Sequence, residues 1–209
     1  EWVHPLPDME TVRRLYSSPA YYNTDNISQY GYNDYVRNKH LYVNLFNRRL
    51  DDIRHFTGGE TGRLLDVGCN EGRGLSLYAA NGFEVEGLEV NETAAALARQ
   101  RGFPVYTGTL TQFSPPAPYD IVVLSNVLEH AWDPVMMLAE VRRLLRPGGE
   151  VWISCPNAAS LWRRVFGRAW INWHVPFHLW HFSLNTLQKL IGRANFSIMS
   201  MESFTPALW

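Results

Sequence analysis

The 209-residue chain has two cysteines, Cys69 and Cys155, too few for a disulfide framework. The pair fits a reducing compartment, and no signal-peptide pattern opens the chain, so a cytoplasmic protein is expected. Charge of one sign is also missing. The formal net charge is −1 with no basic block, which speaks against nucleic acid as the main partner. No apolar run approaches the roughly 20 residues of a membrane span, so stable insertion into a bilayer is not expected. Internal repeats, low-complexity tracts and a second domain are absent as well. What remains, 46% apolar and 19% charged residues, is the make-up of one globular domain with one substantial core.

Aromatics are present and clustered. Six of the ten tyrosines lie between Tyr16 and Tyr35, and four of the eight tryptophans between Trp162 and Trp180, among Arg163, Arg164 and Arg168. Rigid rings with polar tips suit ligand walls and core cover alike.

Residues 1–32 read as irregular, and a helical period runs from Asn33 to about Phe56 with Tyr42, Leu45, Phe46, Leu50 and Ile53 on one face. Strands and helices then alternate. RLLDV leads to a helix at 73–81, a strand at 83–89, and a helix at 92–101 capped by Asn91 and ended by Gly102. Residues 103–107 make a third strand, and YDIVVLS (119–125) reads as a fully buried fourth. Asp133 caps a helix with Pro134 at its first position, running to Arg146 and breaking at Pro147-Gly148-Gly149. EVWISC (150–155) is the fifth strand, and 156–182 reads as an insertion. A helix from Ser183 to near Ala194 and a sixth strand, FSIMSMESF (196–204), follow. Such alternation predicts an α/β fold with a doubly wound, mostly parallel sheet. The expected division is an N-terminal irregular segment with a covering helix at 1–57 and a core at 58–209 that carries the insertion.

The most informative stretch is 64–72, Leu-Leu-Asp-Val-Gly-Cys-Asn-Glu-Gly, an apolar strand running into an acid and a glycine turn. Glu89 closes the next strand and is placed to accept hydrogen bonds from a ribose. Asn70, in mid-turn, is of a type that tolerates positive φ. Ligands of such sheets sit beyond the carboxyl ends of the strands, where Asp66 to Gly72, Glu89 and Ser125 to His130 all converge. The glycines run G-x-x-x-G-x-G (Gly68, Gly72, Gly74), which misses the G-x-G-x-x-G of a nicotinamide site. Asp66 would disfavour a pyrophosphate and welcome an ammonium. S-adenosylmethionine, with an adenosine ribose, a sulfonium and an amino group but no phosphate, fits these charges. A nicotinamide-dependent oxidoreductase and a module that holds the cofactor without turnover are the rival readings.

LLDVGCNEG, VEGLEVNE, YDIVVLSNVLEHAWDP and LLRPGGEVWISCPN together resemble the class I S-adenosylmethionine-dependent methyltransferases, nearest the bacterial group acting on small molecules, sugars or lipids. The resemblance spans about residues 30–204 and implies a Rossmann-like fold. It implies that Asp66, Gly68, Cys69, Asn70 and Gly72 wrap the methionine end of the cofactor, and that Glu89 holds the ribose with Val90 beside it. Thr109 and Leu110 stand where many members carry an acid for the adenine amino group, a departure from the family pattern. Ser125 and Asn126 would flank the methyl with Glu129 and His130, and Tyr30 would close over the cofactor. The family's final antiparallel strand has no counterpart before Trp209, so the chain is expected to be a truncated piece or part of a longer protein.

Methyl transfer from a sulfonium needs alignment, and a base only where the acceptor must lose a proton. His130 is the candidate base, with a structural role in the turn after the fourth strand as the competing account, and His181 is the alternative base. His178, Trp173 and Glu129 are expected on the acceptor side. His174, His178 and His181 have steps that a metal triad could use, but no acid or cysteine stands near them in sequence and Val175-Pro176 opposes a helix, so no metal is expected. The Trp/Arg-rich run 161–180 reads as core cover, an acceptor lid or a membrane-surface element. The expected acceptor is a small molecule, sugar or lipid-linked compound, methylated at oxygen. Oligomeric state is open.

Overall fold

The computed structural model describes residues 5–8, 10–12, 14 and 39–204, with the backbone alone for 39–44 and Ile171. Tyr30, Tyr32, Tyr35 and Thr205–Trp209 lie outside the described residues. Helix α1 (Lys39–Phe56) precedes the sheet. Then come β1 (Arg63–Val67), α2 (Arg73–Ala80), β2 (Glu84–Glu89), α3 (Glu92–Gln100), β3 (Val105–Thr107), β4 (Tyr119–Ser125), α4 (Pro134–Leu144), β5 (Leu145–Ser154), α5 (Leu161–Phe166) and α6 (Leu184–Arg193).

Among the described residues all strand pairings are parallel, in the order β3-β2-β1-β4-β5. The chain winds outward from β1 to β3, then returns to lay β4 on the other side of β1. The strand order therefore reverses between β1 and β4, and a crevice opens above their carboxyl ends. The central strands are apolar without alternation because both faces of the sheet are covered. Leu65, Val67, Val122 and Leu124 pack toward α4 and α6, with Leu138, Val141 and Leu190. Leu64, Ile121 and Val123 pack toward α1 and α2, with Leu50, Ile53, Leu75 and Tyr78. Asp66 sits on the α1–α2 face by the two-residue period of the strand.

The predicted caps form. Asn91 accepts from the Ala94 N–H at 3.1 Å, Asp133 from Val135 and Met136, and Ser183 from Thr186. Two expectations fail. β5 starts at Leu145 rather than Glu150, because Pro147-Gly148-Gly149 forms a bulge inside the strand: the register jumps from Tyr119↔Leu145 to Ile121↔Glu150. Residues 196–204 form no strand. Their apolar positions break period at Ile198-Met199, which leaves no single face to bury, and Ile198, Met199 and Phe204 are exposed. No helix among the described residues is long and apolar enough to cross a membrane.

Candidate active site

The turn after β1 is fastened to β2 rather than merely adjacent to it. The Gly68 N–H donates to the Leu88 carbonyl at 2.7 Å, and the Asn70 N–H donates to Glu89 Oε2 at 2.9 Å. The other oxygen, Glu89 Oε1, accepts from the Asn91 N–H at 2.9 Å. Glu89 is 4% exposed, so the acid that closes β2 is a buried bracket between two loops. Gly68, Asn70 and Gly72 all have positive φ, at 70°, 53° and 80°. A Cβ on Gly68 would lie 2.8 Å from Val127 Cγ2, so a bare backbone lets the turn close against the loop after β4.

Asp66 is buried at 4% exposure, with Gly74 leaving room for its carboxylate: a Cβ there would lie 2.7 Å from Oδ2. Burial lifts the Asp66 carboxyl from 3.8 to about 6, the Arg49 guanidinium draws it down, and Glu89 adds to the rise. Arg49 was missed by the sequence reading. It enters from α1 at 7% exposure, donates to the Tyr78 hydroxyl at 2.7 Å and to Ser125 Oγ, and lies over the rings of Phe46 and Trp152. Its Nε is buried without a partner among the described residues. The signal was available: Arg49 falls three residues after Phe46 and four before Ile53, on the apolar stripe of α1.

At the outer part of the crevice Val90 and Thr109 are exposed and Leu110 is buried. Thr109 and Gln112 cap each other reciprocally. Cys69 is a buried free thiol. Asn126 is exposed, with φ 53° and its N–H on the Ser154 carbonyl.

On the acceptor side Glu129 is 1% exposed, and neither carboxylate oxygen has a partner among the described residues. Burial raises its carboxyl from 4.5 to about 8. The Leu179 and Trp180 N–H groups both donate to the Glu129 carbonyl, at 2.8 and 3.1 Å, binding the 156–182 segment to the β4 loop. His130 Nδ1 meets the Phe177 carbonyl at 2.9 Å, and its ring lies edge-on to His178 with centroids 4.7 Å apart. Burial lowers the His130 imidazole to about 4, opposed by the Phe177 carbonyl, and lowers His178 to about 3 with help from His130. Both rings are neutral at physiological pH. Thus Glu129, His130 and His178 come together, although the acid is 49 residues away in sequence from His178. His181 stands apart, 6.4 Å from His178 between centroids, with Nε2 on the Trp173 carbonyl and its ring against Trp173. Trp173 is half-buried and donates from Nε1 to the Gly167 carbonyl. Residues 174–182 form no helix, as Val175-Pro176 predicts.

A family model described as a methyltransferase domain matches residues 39–201. A probable S-adenosylmethionine-dependent methyltransferase of Mycolicibacterium smegmatis is 34% identical over 139 residues, covering 65% of this chain and 52% of the relative. A ubiquinone biosynthesis O-methyltransferase of Aeromonas salmonicida is 34% identical over 118 residues, covering 52% of this chain and 50% of the relative. The chain spans about half the length of these curated relatives. Among solved structures, a SAM dependent methyltransferase from Archaeoglobus fulgidus has a TM-score of 0.60 at 24% identity, covering 73% of this chain and 68% of that one. The plantazolicin methyltransferase BpumL in complex with SAH has a TM-score of 0.67 at 16% identity, covering 88% and 74%. At these identities the two structures show a common fold.

Proposed function

The chain belongs to the methyltransferase domain family, and from that membership we propose that it transfers a methyl group from S-adenosylmethionine to an oxygen of a small-molecule, sugar or lipid-linked acceptor. The observation that carries this reading is the bracketed turn: a buried acid on β1, a bare glycine backbone, and Glu89 locked by two main-chain N–H groups. The residues present fit the cofactor. Asp66 supplies an anion for an ammonium, and the unpaired Nε of Arg49 is a donor suited to a carboxylate. Gly68, where a Cβ would meet Val127, lets the turn close beside the loop after β4.

Cys69, Asn70 and Gly72 hold the turn, and Glu89 receives the ribose hydroxyls. Val90 and Leu110 flank the adenine, where Thr109 offers a hydroxyl instead of an acid. When bound, S-adenosylmethionine supplies a methyl on a cationic sulfur, open to in-line displacement. Ser125 anchors Arg49, and Asn126 shapes the rim beside it. Donation of Nδ1–H to the Phe177 carbonyl leaves the His130 lone pair on Nε2, where it takes the acceptor hydroxyl proton as the oxygen–carbon bond forms. Glu129, His178 and Trp173 wall the acceptor, with His181 behind Trp173 as the alternative base. Tyr30, outside the described residues, is assigned the cover over the cofactor. The two free thiols suit the reducing cytoplasm in which we place the protein.

Calorimetric titration with S-adenosylmethionine and, separately, NAD tests the reading. Tighter binding of NAD overturns it. Glu89→Ala is expected to abolish cofactor binding, whereas His130→Ala is expected to cut turnover about a hundredfold or more and leave that binding intact. Mass spectrometry of co-purified compounds identifies acceptors for the turnover assay.

A further inference from the structure

We infer that Glu129, His130 and His178 form a binding site for a divalent transition-metal ion of the zinc class. Three observations carry this. First, both oxygens of Glu129 are buried and have no partner among the described residues, a costly state for a carboxyl group that an ion would relieve. Second, His130 Nδ1 faces the Phe177 carbonyl at 2.9 Å and His178 Nδ1 faces the Asn172 carbonyl at 2.8 Å. A carbonyl only accepts, so each Nδ1 holds its hydrogen and each Nε2 holds the lone pair. Metal-bound histidines are oriented in this way by a main-chain carbonyl behind the ring. Third, one ligand atom from each of the three residues lies within 4.8 Å of the others. Bonds of about 2.1 Å at tetrahedral angles put ligand atoms about 3.4 Å apart, so binding draws the three side chains closer together.

The two halves of the site are already joined through the Leu179 and Trp180 N–H groups on the Glu129 carbonyl. Two imidazoles and one carboxylate suit zinc better than calcium or magnesium, and they leave a coordination position open. On the methyl-transfer reading, an acceptor hydroxyl takes that position and releases its proton to water. The oxygen then receives the methyl as the sulfur–carbon bond breaks. His130 Nε2 is in that case a ligand and not a base. This second step rests on the methyl-transfer reading, while the metal site itself does not.

The test strips the full chain with chelator and titrates it with Zn2+, then with Co2+ as a visible-spectrum probe. The expected result is one ion per chain and the intense visible band of low-coordinate cobalt. His178→Gln and Glu129→Gln should each weaken Zn2+ binding at least tenfold, with His174→Gln unchanged. Absence of stoichiometric Zn2+, a cobalt spectrum like that of the hexaaqua ion, binding unaffected by both variants, or loss with His174→Gln overturns the proposal. The wild-type titration and cobalt spectrum depend on no variant, so a misfolded Glu129→Gln leaves the test intact. S-adenosylmethionine affinity measured on the same samples reports separately on the reading above.

Discussion

Asp66→Asn should make the ligand-free protein more stable and the cofactor site worse. Its folded carboxyl titrates at about 6 against an ordinary 3.8, a difference that corresponds to about 3 kcal/mol. Below about pH 4 both folded and unfolded chains carry the proton, so the residue takes nothing from stability. As pH rises from 3.8 to about 6 the unfolded chain ionises first and the native state loses ground. Above that window the fold holds a buried anion at the full cost. Removing the charge should therefore stabilise the protein by up to about 3 kcal/mol at pH 8 and by little at pH 4. Binding runs the other way. An ammonium prefers the ionised acid, so wild-type affinity should rise with pH to a plateau above about 6 and stand about tenfold lower one pH unit below it. The Asn variant should bind weakly and show no such rise, and it subtracts the ligand's own titrations. Urea melts from pH 4.5 to 8 with parallel calorimetric titrations make the measurement. A variant less stable than wild type at pH 8, or identical affinity profiles for the two proteins, would refute the reasoning.

Arg49→Met, close in length and apolar, removes the cation that holds the Asp66 carboxyl down, so the rise of cofactor affinity with pH should move upward, as read by the same titrations. Gly68→Ala must adopt φ 70° and meet Val127, and should cost about 1–3 kcal/mol by denaturant melt and weaken cofactor binding. Adding Val127→Ala should return the contact but not the φ strain. Glu89→Ala leaves the Asn70 and Asn91 N–H groups without their acceptor, so its loss of cofactor binding should come with a stability loss of about 2–4 kcal/mol in the same melts.

Much of this fold is readable locally. Leu64-Leu65 and Val122–Leu124 announce strands covered on both faces, and Asn91, Asp133 and Ser183 announce helix starts through side chains that satisfy nearby N–H groups. The glycine turn and Glu89 are legible for the same reason, since their spacing is a property of one β-α-β unit. The misses have longer range. Pro147-Gly148-Gly149 reads as a break because the strand that pairs on either side of it, at Tyr119↔Leu145 and Ile121↔Glu150, lies far back in the chain. The place of Arg49 on the apolar stripe marks it as inward-facing, but what it serves shows only once Asp66 and Ser125 are placed around it. The acid that His178 lacks in its own neighbourhood arrives from the loop after β4, a meeting that no periodicity encodes.

In the seam between the 156–182 segment and the β4 loop, the Leu179 and Trp180 N–H groups meet the Glu129 carbonyl, while His130 Nδ1 and Trp180 Nε1 add side-chain bonds to the Phe177 and Ala131 carbonyls. Peptide groups are the same whatever side chains they carry. With His130 and Trp180 kept, the segment can thus exchange its other aromatic and basic residues and still keep these bonds. On the methyl-transfer reading, specificity on this scaffold can drift in evolution, or be swapped by hand, while the proposed methyl-donor half is left untouched.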